Sequence, residues 1–508
     1  MSPRRARVDT QALRRALLAC LVISAALGAT PAGAAALAAV TPVVVEGRVR
    51  MKPAPGTTRE VPVVRALTGE LAQALAAEAG HGATAFMLEL DAAAQTLQGR
   101  RRPQPTYLLV SEEEGGFARQ GFWLARGTAP AEWHADPYVN LVVDADSIAD
   151  GSFEEIFAHE MGHVLLRRLL PALPSGYSRV AHSSLAVTDY PTAFDEGFAE
   201  HLQPLARQLT RNPRLRLADA GFGIKPFVPL FRDSLDRSLR IRGVRDNLFV
   251  QRQLPWPEPL PASPDATTLF DPGGLKNGQQ MMASEGVIAT LFYHLLDQPE
   301  ASPGALRARY LELLRTLQAL NTQPLEAGTP VFLRLVDEHL RRLPASRSAW
   351  LSTVVGLTYG ATVDAGMARQ AAELALIGRQ GDAEQFVARL APARKALLDC
   401  IEAVVRDPAK LGAALGPELW AAADAQAPPS GAPAPAAVNL NTAERGALML
   451  WLRLDAASAE RALESRRRDG PFADLGDFAR RAGITAARQE LLRAGAERVA
   501  AAGGFARE

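Results

Sequence analysis

The pentad His159-Glu160-Met161-Gly162-His163 constrains this chain more than any other stretch. It lies in the segment Ser152 to Leu170, where Phe153, Ile156, Phe157, Val164 and Leu165 recur at helical spacing and predict one buried helical face. Residues four apart on a helix project from the same side, so the two imidazoles can meet one metal ion. Zinc suits them, because it takes histidine nitrogens at about 2.0–2.1 Å in tetrahedral geometry. Glu160 stands beside the first histidine, where its carboxylate can reach a water on the metal without ligating the metal itself. The plain alternative is a structural pair of helix histidines.

A second stretch bears on that choice. Thr192 reads as the cap of a helix that continues towards Leu209, with a kink expected at Pro204. Within it, Asp195-Glu196-Gly197-Phe198-Ala199-Glu200 closely matches the Asn-Glu-Gly-Phe-Ala-Glu stretch of alanyl-aminopeptidases. Together with the pentad, this resembles the gluzincin metallopeptidases, the thermolysin and alanyl-aminopeptidase type. The resemblance implies an α+β zincin-like catalytic domain, built of a mixed sheet plus active-site helices. It also implies zinc as cofactor, with His159, His163 and Glu196 as ligands and Glu200 as a carboxylate that orients a ligand histidine. Three protein ligands leave a position for water, whose pKa falls to about 7. Glu160 then acts as general base on that water and returns the proton to the leaving amine of a peptide. The alternative for Glu196 and Glu200 is a solvated acidic helix face.

Rival zinc patterns fit less well. In the extended motif with a third histidine, a glycine and a histidine would fall where Leu166 and Leu169 stand. His182 and His201 are candidate third ligands outside any recognised frame. Thirty-two residues separate His163 from Glu196, more than aminopeptidases usually have, and Pro171, Pro174 and Gly176 mark the excess as a loop over the site. The oxyanion donor is not assigned. The expected helix Gln279 to Gln298 resembles the segment that carries a catalytic tyrosine ahead of Gly286, but Ala283 occupies that position; Tyr293 and His294 lie further on and read as ordinary packing residues. The aminopeptidases' Gly-x-Met-Glu-Asn motif is missing, so exopeptidase specificity is unsupported.

Composition sets the frame. Of 508 residues, 48% are hydrophobic and 22% charged, which excludes a wholly disordered or collagenous chain. Only Cys20 and Cys400 occur, so disulfides do not organise the fold. A net charge of +1 gives no global attraction to nucleic acid or anionic membrane. Residues 207–252 do hold eleven Lys and Arg against four Asp, which reads mainly as a solvated face.

Residues 1–34 read as a signal peptide: arginines from Arg4 to Arg15, an apolar run Ala16–Leu27, and Ala32-Gly33-Ala34 as cleavage site. A twin-arginine signal, a lipoprotein box at Cys20 and an uncleaved anchor are the alternatives. The expected location is therefore export to the periplasm or beyond, with no transmembrane segment in the mature chain. Residues 42–260 are expected to form the zincin-like core, with strands near Val43–Val45, Thr106–Val110 and Tyr138–Val143 and a helix from Leu67 to Ala79. Residues 261–425 read as a largely helical region completing the catalytic unit, and 426–437 as a Pro/Ala linker.

The last segment, 438–508, reads as a small all-α module. Val438-Asn439-Leu440-Asn441-Thr442-Ala443 and Asp469-Gly470-Pro471-Phe472, with their spacing, resemble the helix-hairpin-helix domain of competence DNA receptors. DNA-binding members carry Pro-Gly-Ile-Gly in the first hairpin; Leu452-Arg453-Leu454-Asp455 stands here instead, without glycines and with a carboxylate. Twelve Arg meet ten Asp and Glu over the module. DNA binding is not expected, and a protein partner is. The leading expectation is thus a zinc metallopeptidase acting on a peptide or protein substrate. Its rivals are a non-catalytic metallopeptidase-like scaffold and, behind that, a DNA-uptake protein.

Overall fold

The computed structural model describes residues 40–54, 57–113, 115–174, 184–185, 187–222, 232–253, 270–276, 278–296, 302–322, 324–325, 330–360, 383–407, 409–410, 440, 448, 454, 456–469, 472–486 and 489. The leader, the linker, His182, Thr442 and Leu452 lie outside the described residues. The described part is an α+β fold: one mixed five-stranded sheet and many helices. No helix among the described residues is long and apolar enough to cross a membrane.

In chain order the first elements are β1 (Val40–Ala54), β2 (Thr57–Ala66), α1 (Glu70–Glu78), α2 (Gly82–Leu97), β3 (Thr106–Val110), β4 (Gly116–Arg126) and β5 (Ala129–Leu141). Then come α3 (Ala145–Asp150), α4 (Ser152–Leu169), α5 (Tyr190–Glu200), α6 (Leu202–Leu209), α7 (Pro213–Phe222), α8 (Arg232–Arg245), β6 (Gln251–Gln253) and β7 (Phe270–Leu275). The remainder is α9 (Gly278–Met282), α10 (Glu285–Leu296), α11 (Pro303–Leu320), α12 (Val331–Arg342), α13 (Arg347–Leu357), α14 (Ala383–Arg406), α15 (Ala456–Asp469) and α16 (Leu475–Ala482).

The five long strands close into a barrel in the order β1-β2-β4-β5-β3. β1–β2 and β4–β5 pair antiparallel, while β1–β3, β2–β4 and β3–β5 pair parallel. Alternate residues point inward, and Val43, Val64, Tyr107, Leu109, Phe122, Leu124 and Tyr138 fill the interior. Helix α4 packs across β4 and β5 on one side and meets α2, α5 and α6 on the other.

Several expected boundaries shift. The first helix begins at Glu70 rather than Leu67, because β2 runs to Ala66 and Gly69 turns the chain with φ 93°. The second site helix begins at Tyr190: Asp189 is its cap, accepting from Thr192 N at 2.7 Å and from Thr192 Oγ1 at 2.8 Å. That helix breaks at His201, ahead of the expected kink. Pro204 is the cause, since a proline ring clashes with the carbonyl four residues earlier, here Glu200. The helix expected from Gln279 to Gln298 is likewise two pieces, α9 and α10.

Candidate metal centre

Helix α4 is fixed in place before it does any chemistry. Buried Glu155 pairs with Arg207 of α6, Nη2 to Oε2 at 2.7 Å. Buried Arg168 pairs with Asp91 of α2 at 2.5 Å and with Asp136 of β5 at 3.0 Å. Burial alone would raise the Asp136 carboxyl, but Arg100 and Arg168 outweigh it and hold it below the usual carboxylate range. These pairs tie α4 to α2, to α6 and to β5 of the barrel. An ionised side chain in such a place is costly unless partnered, so each pair resists displacement of the helix.

Two glycines then let the helices close on one another. A Cβ on Gly162 would lie 2.7 Å from Ala199 Cα, so α4 and α5 touch backbone to backbone there. A Cβ on Gly197 would lie 2.7 Å from Glu285 O and from Ile288 Cβ, which seats α5 equally tightly on α10. The helices cross where no side chain intervenes, and that approach carries Glu196 to the histidines.

His159 and His163 of α4 and Glu196 of α5 converge. Glu196 Oε2 lies 3.7 Å from His159 Nε2 and 3.4 Å from His163 Nε2, and the three ligand atoms all lie within 4.8 Å of one another. Tetrahedral ligands at about 2.0–2.1 Å from a metal are roughly 3.3 Å apart, so the donor set has the size and chemistry to hold a metal ion. All three side chains are mostly shielded from solvent. It is the one such group of His, Cys, Asp or Glu among the described residues.

Electrostatics points the same way. Burial would leave His163 neutral, but Glu196 and Asp195 outweigh it and hold the imidazole well above its ordinary pKa. A field that retains a proton on His163 also favours a cation at its Nε2. Asp195 Oδ1 stands 2.8 Å from His163 Nδ1, which fixes the ring and leaves Nε2 facing Glu196. The carboxylate support that the resemblance assigns to Glu200 is thus made, for His163, by Asp195. Glu200 itself is buried one turn later on α5. His159 Nδ1 is buried and has no hydrogen-bond partner among the described residues.

Glu160 is buried, with its carboxylate against the first residue of β4: a Cβ on Gly116 would lie 2.5 Å from Glu160 Oε1. A side chain at that position would push the carboxylate from its place. Neither Gly116 nor the orienting role of Asp195 was foreseen from sequence. The signal for Asp195 was its place immediately before Glu196; the signal for Gly116 was the Gly115-Gly116 pair opening a strand.

The other residues considered from sequence sit elsewhere. His201 is buried, its Nδ1 beside Phe198 O and its Nε2 2.9 Å from Tyr310 OH, and its ring stacks on Phe292 and Tyr310. Tyr293 OH accepts from Gln208 at 2.6 Å, and His294 donates to Arg245 O at 3.2 Å. Ala283 O accepts from Thr188. No family model, curated protein or solved structure matches this chain.

Proposed function

We propose that this chain is an exported zinc-dependent metallopeptidase of gluzincin type, with a zincin-like core and a C-terminal helix-hairpin-helix-like module. The observation that carries the proposal is the convergence of His159, His163 and Glu196 from two helices, with thirty-two residues between His163 and Glu196. A structural pair of helix histidines has no need of a third donor at ligand distance, nor of Asp195 behind His163.

Bound there, zinc supplies a water of pKa about 7 and polarises a carbonyl oxygen. The chain's own residues do the rest. His159, His163 and Glu196 hold the ion, and Asp195 keeps His163 in the tautomer that presents Nε2. Glu160, next to a ligand and backed by Gly116, takes a proton from the attacking water and delivers it to the leaving amine. Its burial excludes bulk water from that transfer.

The test is metal content together with hydrolysis of a mixed peptide library. The purified chain should hold one zinc ion and cleave peptides. Glu160→Gln should keep the zinc and lose at least about a hundredfold in rate, since only the proton transfer is removed. Loss of zinc in that variant, or unchanged turnover, would overturn the assignment of Glu160 as base.

A further inference from the structure

A cavity of about 340 Å³ opens at one end of the barrel. Residues from all five barrel strands line it, and Arg167 of α4 closes one side. Leu109 and Tyr138 belong both to its wall and to the apolar interior, so it is the mouth of the barrel above a packed floor. Mouths of β-barrels are common ligand sites, and this volume lies within the range of small-ligand pockets.

The polar groups in the wall are unusual for a structural void. Arg48, Arg119 and Arg167 line it against two acidic residues, Glu60 and Glu113. Glu113 is engaged by Arg119 at 2.6 Å, and Phe117 lies under the same guanidinium at 4.7 Å. Even so, Arg119 Nε is buried without a hydrogen-bond partner. Asn140, only 2% exposed, gives its Nδ2 to Glu113 at 3.4 Å, while its Oδ1 is buried and accepts nothing. One wall thus offers an unmet donor on a cation and the other an unmet acceptor on a neutral amide. Buried polar groups left unmet are costly, so such a pair marks a place where a ligand completes them.

The complement is a carboxylate with an N–H on the adjoining carbon. A phosphate offers no such N–H. A carboxylate also suits guanidinium geometry, which it engages through two parallel hydrogen bonds. Two sources carry this chemistry, a free amino acid and the C-terminal end of a peptide. The position of the cavity decides between them. Gly116 touches Glu160, and Arg119 follows three residues along β4, about 10 Å at strand rise. Arg167 follows Glu160 by seven residues on α4, again about 10 Å at helical rise. Gly116 faces α4 and Arg119, paired with the inward Tyr138, faces the barrel interior, so a peptide joining the base to the pocket passes over the rim of the barrel.

We propose that the barrel mouth binds the free α-carboxylate end of a peptide, with the carboxylate on Arg119 and Arg48 and the last amide N–H on Asn140. This rests on the peptidase reading and gives it a substrate class: peptides with a free C-terminus, from which a short C-terminal fragment is released.

Binding can be read without turnover. N-acetyl-trialanine and its C-terminal amide are titrated calorimetrically into the full chain carrying Glu160→Gln, with free alanine as a third ligand. The acid should bind at least tenfold more tightly than the amide. Arg48→Gln, at an exposed position, and Arg119→Gln should each shrink that ratio. Equal binding of acid and amide overturns the proposal, as does a ratio that survives both variants. Free alanine binding as tightly as the tripeptide overturns the peptide-end assignment. The outcomes separate from the peptidase reading: acid preference in a chain that hydrolyses nothing upholds the pocket and removes the enzyme, whereas hydrolysis indifferent to the terminal carboxylate does the reverse.

Discussion

Asp195 and His163 form a 2.8 Å contact between helices α5 and α4, and it couples the orientation of a candidate ligand to the helix that brings another. Asp195 immediately precedes Glu196, so a single helical turn supplies both a donor and the carboxylate that fixes a neighbouring donor. Removing it as Asp195→Ala should lower zinc affinity about 10- to 100-fold while His159, His163 and Glu196 remain. Competition with a chelator of known affinity measures this directly. An unchanged affinity would mean that packing alone orients His163.

The contact of Gly162 with Ala199 makes a second prediction. A methyl group at Gly162 would sit 2.7 Å from Ala199 Cα and 3.0 Å from Leu202 Cδ1, and the first of these is backbone that cannot step aside. Gly162→Ala should therefore push α4 and α5 apart. The expected cost is about 1–3 kcal/mol in unfolding free energy, with weaker zinc binding because Glu196 moves with α5. Urea unfolding and chelator competition read the two effects separately. A variant with wild-type stability would show that the helices do not meet as closely as this.

Helix α4 was legible in the sequence because its apolar period and its chemistry coincide within one segment, Ser152 to Leu169. Strand β3 was legible for a similar reason, as an uninterrupted run of Tyr107, Leu108, Leu109 and Val110. Strands β2 and β4 were not. In β2 the inward residues include Pro62, Val63 and Val64 are adjacent, and Arg59, Glu60 and Arg65 flank the valines, so no clean alternation survives. In β4, Gly116, Arg119 and Gly121 interrupt the pattern, and a register shift falls between Gln120 and Phe122. Closure of the barrel depends on parallel pairing between strands distant in sequence, which no local window contains. Gly162 illustrates the same limit at the site: it is an unspecified position of the pentad, and its meaning appears only when α5 lies against it.

Acid sensitivity should arise from histidines outside the donor set. Burial pushes His201 down to about 3, against the pull of the Phe198 and Gly197 carbonyls. An unfolded histidine titrates near 6.5. The folded state therefore keeps His201 neutral while the unfolded state gains a proton, and stability that is complete above about pH 6.5 drains away as the pH falls towards 3. The loss is at most about 1.4 kcal/mol per pH unit for one such group. His339, whose burial pushes it down to about 4, acts in the same direction. Unfolding free energies measured from pH 7 to pH 4.5 should fall steadily, and His201→Phe should flatten the slope without removing it. A slope unaltered by that substitution would show that His201 takes up its proton in the folded chain.

In the C-terminal stretch, fold and nucleic-acid chemistry should part. Leu448, Leu463, Phe472, Leu475 and Phe478 are buried, and α15 packs on α16. Gly483 keeps the left-handed backbone, φ 67°, that a hairpin between helices uses. Its Cα is covered, however: a Cβ there would meet Arg461 Nε at 2.9 Å, and that nitrogen donates to Ala482 O at 3.0 Å. A phosphate approaching the hairpin amides would have to displace this guanidinium from its own bond. The neighbouring cations are also engaged at home, Arg480 and Arg481 with Asp477 and Arg468 with Asp469. Among the described residues of the module, these pairs reduce the positive charge available to release counterions from DNA. Titration of the full chain with a short duplex, at several salt concentrations, should show no binding tighter than about 100 μM at physiological salt, the weak end of the non-specific range. Micromolar binding with a steep salt slope, abolished when residues 438–508 are removed, would instead restore a DNA-directed role for this module.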